Sequence, residues 1–317
     1  MQKSISTTLA FVALAIIAVS LFAPMPALAG APGGRIIFVA NPSGSWQLYS
    51  IRPDGSGMTQ LTNLAPTDFS LWWPSLSPDG KKIAFAYGPN DDGGNDIFVM
   101  NTDGSGLTQL TQDGLSEAPR WSPDGKRIAF ARISTRTFLG VIFTMKADGS
   151  DLQRVTGDTW DSYGPIYTPD GKHLVFYSQK GGFVATVRIA DVDGSNGQRL
   201  TGAALEGFPY DISPDGQRIS LSSHINTSQP SALFDMNLDG TDLTLLTHVK
   251  DAHDLYPSNS PDGSMIVFAS DRLATDGSLD LFTMKADGSD VHRIASGLTV
   301  GGCPGGNCVT PSWGPKR

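Results

Sequence analysis

Three histidines and a scatter of carboxylates offer the first chemistry in this sequence. His224, His248 and His253 lie close along the chain, and VKDAHDLYP sets Asp251 and Asp254 beside the last of them. Imidazole nitrogens and carboxylate oxygens together suit zinc, manganese or iron, which makes His224, His248, His253 and Asp254 the candidate ligands of a divalent cation. Their spacing follows no fixed metal motif, and for the chain as a whole no cofactor is expected. A second grouping stands upstream of a recurring Pro-Asp-Gly tripeptide: Trp72, Glu117, Asp161 with Tyr163, Glu206 with Phe208, and His253 with Asp254. Ser70, Ser116, Trp160 and Asn307 occupy the same stretches. Carboxylates interleaved with aromatics would hold a basic peptide segment, a cation or a sugar, the rings supplying area and the carboxylates orienting amines or hydroxyls. The competing reading is that the rings pack between structural units and the carboxylates form a solvated rim. Nucleophilic chemistry has little support. The sequence has no G-x-S-x-G elbow, and its Gly-rich turns join strands rather than opening a helix. A paired-carboxylate hydrolase stays open, because the separation that defines it is not readable from sequence.

The elements that must position these residues are repeats. SPDGKKIAF at 77 returns as SPDGKRIAF at 122, TPDGKHLVF at 168, SPDGQRISL at 213 and SPDGSMIVF at 260. A period in the forties marks a stacked supersecondary unit rather than five copies of an active site. A second turn recurs in phase, from RPDGSG at 52 to KADGSD at 285, and occurs six times. Asp-Gly suits tight turns. Between the turns apolar residues alternate, as in Ile83 and Phe85 or Ile128 and Phe130, which is the period of a strand with a buried face. Four short antiparallel strands per unit is the blade of a β-propeller. GGRIIFVA near the N-terminus has no preceding SPDG strand, and the C-terminal TPSWGPKR has no following ones. The expectation is an all-β, six-bladed propeller of four-stranded antiparallel blades, its ring closed by the C-terminal strand joining the N-terminal blade. The blades fall at 34–62 plus 309–316, 72–111, 117–156, 163–201, 208–247 and 255–295.

The repeats resemble those of TolB-type, WD40-like propellers, whose motif runs P-x-W-S-P-D-G-K-x-I-A-F followed by D-I-Y-V-M-x-x-D-G. APRWSPDGKRIAF (118–130) and DIFVMNTDG (96–104) carry the likeness, which extends over residues 34–316. TolB proteins add an N-terminal α/β domain. Here the first blade strand follows closely on the leader, so only the propeller is expected. The resemblance implies a docking role, since the TolB propeller docks a peptidoglycan-associated lipoprotein. Propellers also host lyases, lactonases and pure binding modules, so fold alone leaves function open.

The ends and the composition set the compartment. Residues 1–29 carry one charge, Lys3, an apolar run from Leu9 to Ala23, and Ala27-Leu28-Ala29. That is the pattern of a cleaved secretory signal peptide, leaving residues 30–317 as a single propeller that is periplasmic or secreted. No later run reaches the roughly 20 apolar residues of a spanning helix, so no membrane insertion is expected after cleavage. Cys303 and Cys308 in GGCPGGNCVT are expected to form a disulfide in an oxidising compartment. A formal charge of −8 without a basic cluster excludes nucleic acid as a partner. The functional expectation is a non-catalytic module that binds an extracytoplasmic protein or envelope component through its variable loops. The alternative is a metal-assisted lyase or hydrolase acting on a sugar or lactone at the channel mouth.

Overall fold

The computed structural model describes residues 33–64, 69–89, 94–181, 184–202, 206–224, 230–299 and 309–315. Residues 1–29, both cysteines and Asn307 lie outside them. The described residues form six four-stranded antiparallel sheets and contain no helix. Five sheets take their strands in chain order. The sixth has Ser312–Gly314 as its inner strand, followed by Arg35–Ala40, Gln47–Ile51 and Thr59–Gln60. Ile36 pairs with Trp313 and Ile37 with Ser312, so the C-terminal strand closes the ring as expected. The other inner strands are Phe69–Leu76, Ser116–Trp121, Asp161–Tyr167, Gly207–Ile212 and Asp254–Asn259. From inside to outside the blades are numbered here from the N-terminal one.

Each residue of the repeated motif has a physical task. In SPDGKKIAF, Ser77 Oγ donates to Asp79 Oδ1 at 2.7 Å and accepts from the Lys82 amide at 2.9 Å, locking the hairpin. The same Ser–Asp bond recurs at Ser122–Asp124, Ser213–Asp215 and Ser260–Asp262. Pro and Gly meet across blade seams: Gly125 faces Pro78, Gly171 faces Pro123, and Gly80 faces Pro315 to complete the ring. The second turn docks in the same way on the neighbouring blade. A Cβ on Gly194 would sit 2.1 Å from the Val155 carbonyl oxygen, and one on Gly55 would sit 2.7 Å from that of Ile294. Both glycines also have positive φ, so a side chain there would open a seam. The closing Phe of the motif is the core residue. Phe38, Phe85, Phe130 and Phe268 are fully buried, and burying each is worth roughly 1.5–3 kcal/mol. The outermost strands are two residues long in five of the blades. Such short edges give other chains little to pair with.

Because each blade runs inner strand, PDG hairpin, second strand, loop, third strand, DGS turn, both recurrent turns fall on one face. The opposite face carries the inter-blade connections and the openings of the inner strands. The candidate residues gather on that second face.

Candidate functional site

The inner strands enter the ring through a repeated irregularity. In blades 2, 3, 4 and 6 the residue six before the PDG aspartate has positive φ: Trp73 (49°), Ala118 (53°), Gly164 (59°) and Tyr256 (58°). Each directly precedes a proline, and pairing to the second strand shifts register there. An L-residue rarely adopts that conformation, and a bulky one before proline least of all. A β-bulge at this point turns the strand and re-aims its side chains. In blade 5 the same position holds Pro209, which cannot take positive φ. The bulge there falls between Pro209 and Asp211, leaving Tyr210 as the unpaired residue.

The bulges open a cavity of about 600 Å³ at the channel mouth. Every residue at the bulge position lines it: Trp73, Ala118, Gly164, Pro209 and Tyr256. So do the residues immediately before them in blades 3 to 6, namely Glu117, Tyr163, Phe208 and Leu255. Tyr163 stacks on Tyr177 at 5.8 Å between centroids, Tyr177 meets Phe208 edge-on at 5.1 Å, and Tyr210 meets Tyr256 edge-on at 5.2 Å. These are the spacings at which aromatic pairs attract. The wall is therefore two rigid aromatic groups with a carboxyl between blades.

That carboxyl is Glu117. Burial, reinforced by the negative charge of Asp161, pushes its pKa up to about 7. Among the described residues none donates a hydrogen bond to it. Tyr163 is raised well above the usual phenol range by burial, by the charges of Asp161 and Glu117, and by its hydrogen bond to Asp161. Tyr177 is raised too, chiefly by burial. Deeper in the channel Arg120 spans the axis, donating to the Pro74 carbonyl at 3.4 Å and to the Tyr210 carbonyl at 3.3 Å. Asp211 is its electrostatic partner. Burial raises Tyr210 to about 12, with the Ser222 hydroxyl and Arg120 opposing.

The sequence-derived candidates divide. Glu117, Tyr163, Phe208, His224 and His253 line one cavity. Trp72 lies beside it, its ring tilted against Trp46 at 5.9 Å and Trp73 at 6.3 Å and packed on the blade core. Asp161 supports the wall from behind, accepting from the Gly140 amide and the Gln179 side chain. Glu206 is half-buried and outside the lining; its backbone carbonyl accepts from Ser223. Asp254 is 1% exposed and paired to Arg272 at 2.7 Å, so it is a structural ion pair rather than a mouth carboxylate. His248 stands exposed on a separate connection. His253 Nδ1 accepts from the Ser231 amide at 3.1 Å. Among the described residues no group of three or more His, Cys, Asp or Glu side chains is arranged to hold a metal ion. Pattern reading missed Trp73, Arg120, Tyr177, Tyr210 and Tyr256. The one sequence signal for the bulge residues was their place before a proline at constant distance from PDG.

The TolB beta propeller domain family matches residues 69–217. A TolB homolog of Chlorobium chlorochromatii (strain CaD3) is 43% identical over 53 residues, 17% of this chain and 11% of that protein. The match thus spans about a tenth of the relative's length. Among solved structures, TolB from Acinetobacter baumannii superposes with a TM-score of 0.72 at 27% identity, covering 91% of this chain and 69% of that one. A putative TolB from Agrobacterium tumefaciens gives 0.65 at 20% identity, with 90% and 99% covered, a likeness of fold alone. With the repeats and the six closed blades, these matches make the described part of the chain a six-bladed propeller similar to that of TolB proteins.

Proposed function

We propose that this TolB-type propeller is an exported, non-catalytic binding module that docks an extracytoplasmic protein or envelope component over its channel mouth. The observation that carries the reading is the preformed cavity in a closed ring, walled by Tyr163, Phe208, Tyr210 and Tyr256 on inner strands and by Tyr177 on the strand next to one of them. Rigid aromatics offer large contact area at low entropic cost, as binding hot spots require. The TolB likeness supports the envelope setting, and the apolar leader pattern of residues 1–29 supports export. The enzyme alternative needed His224, His248, His253 and Asp254 to converge on a metal, and Asp254 is instead committed to Arg272.

The test is affinity capture from a cell-envelope extract with the tagged protein, a Tyr177→Ala/Phe208→Ala variant and a control altered on the opposite face, Lys126→Ala/Leu152→Ser. A specific partner retained by parent and control and reduced at least about tenfold by the mouth variant is expected, given that losing hot-spot aromatics costs about 2 kcal/mol or more. Equal recovery by all three would remove the mouth from the account. The metal reading predicts instead a stoichiometric divalent ion in the purified protein.

A further inference from the structure

The cavity is unevenly charged. On the channel floor Arg120 is answered by two carbonyl oxygens and by Asp211. Beside the cavity Glu117 and Asp161 repel one another, and Arg132, which pairs in register with Ser116, is held by Asp113. Asp161 has its own donors in Gly140 and Gln179. Glu117 has none among the described residues, while Tyr163 and Tyr177 stand close enough to feel its charge. A partly buried carboxylate without a donor among the described residues, on a cavity wall beside stacked rings, lacks one thing: a cation.

We propose that the mouth is a lysine socket, taking the side chain of one lysine of the docked polypeptide with its ammonium on Glu117 and its alkyl stem along Tyr163, Tyr177 and Phe208. This rests on the binding reading above and names the chemistry of what enters. A lysine ammonium is a compact point charge that one carboxylate can meet at the end of an apolar wall. The four-carbon stem covers apolar wall while the head reaches the charge. Ring faces within about 6 Å of the ammonium add attraction that grows as water leaves.

Engagement is coupled to a proton. A neutral Glu117 gains little from a cation, so the socket must ionise to bind, and the carboxyl proton goes to solvent. With free Glu117 titrating near 7, the ionised fraction rises about tenfold from pH 6 to pH 8. The other titratable groups lining the cavity are Arg120, His224, His253 and the tyrosines at 163, 177, 210 and 256, and Asp161 acts on Glu117 from behind the wall. The Glu117→Gln variant separates any contribution of these groups from the carboxyl's.

The experiment titrates the full protein with N-acetyl-lysine methylamide and its neutral isostere N-acetyl-norleucine methylamide, following the cavity resonances by NMR and proton release by calorimetry in two buffers. The lysine probe should bind at least about tenfold more tightly than the norleucine probe at pH 8. Its affinity should fall several-fold towards pH 6, with net proton release at pH 7. Glu117→Gln should lose most of both effects, and Glu117→Asp, melting like the parent, should retain part of them. Equal affinity for the two probes, or an unchanged pH slope in a folded Glu117→Gln protein, overturns the socket. A partner captured by the mouth without lysine selectivity refutes the socket and leaves the docking reading intact. Lysine-selective, proton-coupled binding with no captured partner does the reverse.

Discussion

At the residue scale, Glu117 is a local cost that the fold tolerates. Its carboxyl is held near 7 in the folded protein and near the ordinary carboxylate value when unfolded. The folded state thus binds the proton more tightly. Stability is highest below the unfolded pKa and declines as pH rises from about 4 through about 7. Glu117→Gln should therefore melt like the parent near pH 4 and higher than it at pH 8, by on the order of 2–3 kcal/mol. Matching denaturation curves at pH 8 would mean that the carboxyl is solvated and unstrained. Glu117, Tyr163 and Phe208 reach the cavity from one constant distance before PDG, just ahead of the bulge, whereas Trp72 at the same distance packs on its blade core. Asp161 and Asp254 lie further upstream, where their carboxylates go to structural partners, and Glu206 there is bonded through its backbone carbonyl. Residue type suggested a ring of mouth carboxylates; chain position decided which of them faces the cavity.

At the element scale, the inner strands do two jobs. Their bulges expose Trp73 and Tyr256 to the channel, against the two-residue alternation that would point them elsewhere. Strand periodicity could not foresee this, because one inserted residue reverses the facing of everything before it. Two residues further on, the inner strands latch to one another. Trp121 N donates to Ser75 Oγ at 3.3 Å, Leu76 N to Ser312 Oγ at 3.3 Å, Trp313 N to Ser258 Oγ at 3.1 Å and Asn259 N to Asp211 Oδ2 at 2.7 Å. Blades 3 and 4 have Arg120 and Ile166 at this position, neither an acceptor, and they flank the stacked Tyr163–Tyr177 wall. The latches are unequal. Asp211 also accepts from Ser258 and faces Arg120, so Asp211→Ala orphans an amide and leaves a guanidinium uncompensated. It should cost about 3–5 kcal/mol, against about 1 kcal/mol for Ser75→Ala, as read from urea denaturation. Equal small losses would show that the latches are incidental to ring stability.

At the scale of the whole molecule, the ring was legible because its seams are written in the repeat. Ser and Asp lock the hairpin, Pro and Gly touch across blades, and Phe fills the space between sheets. The unmatched ends, GGRIIFVA and TPSWGPKR, pointed to closure, and the pairing of Ile36 with Trp313 provides it. Function was less legible, since a cavity built from six strands depends on facing directions that no single stretch contains. A closed ring makes that cavity rigid, and rigidity is what lets a few aromatics bind without a large ordering cost. The most direct measurement is a hydrogen-exchange comparison of the free protein and its complex with the captured partner. The account predicts slowed exchange at 161–164, 206–210 and 253–256 around the mouth, with no change at the DGS turns. Protection confined to the DGS turns, with the mouth unaffected, would contradict it.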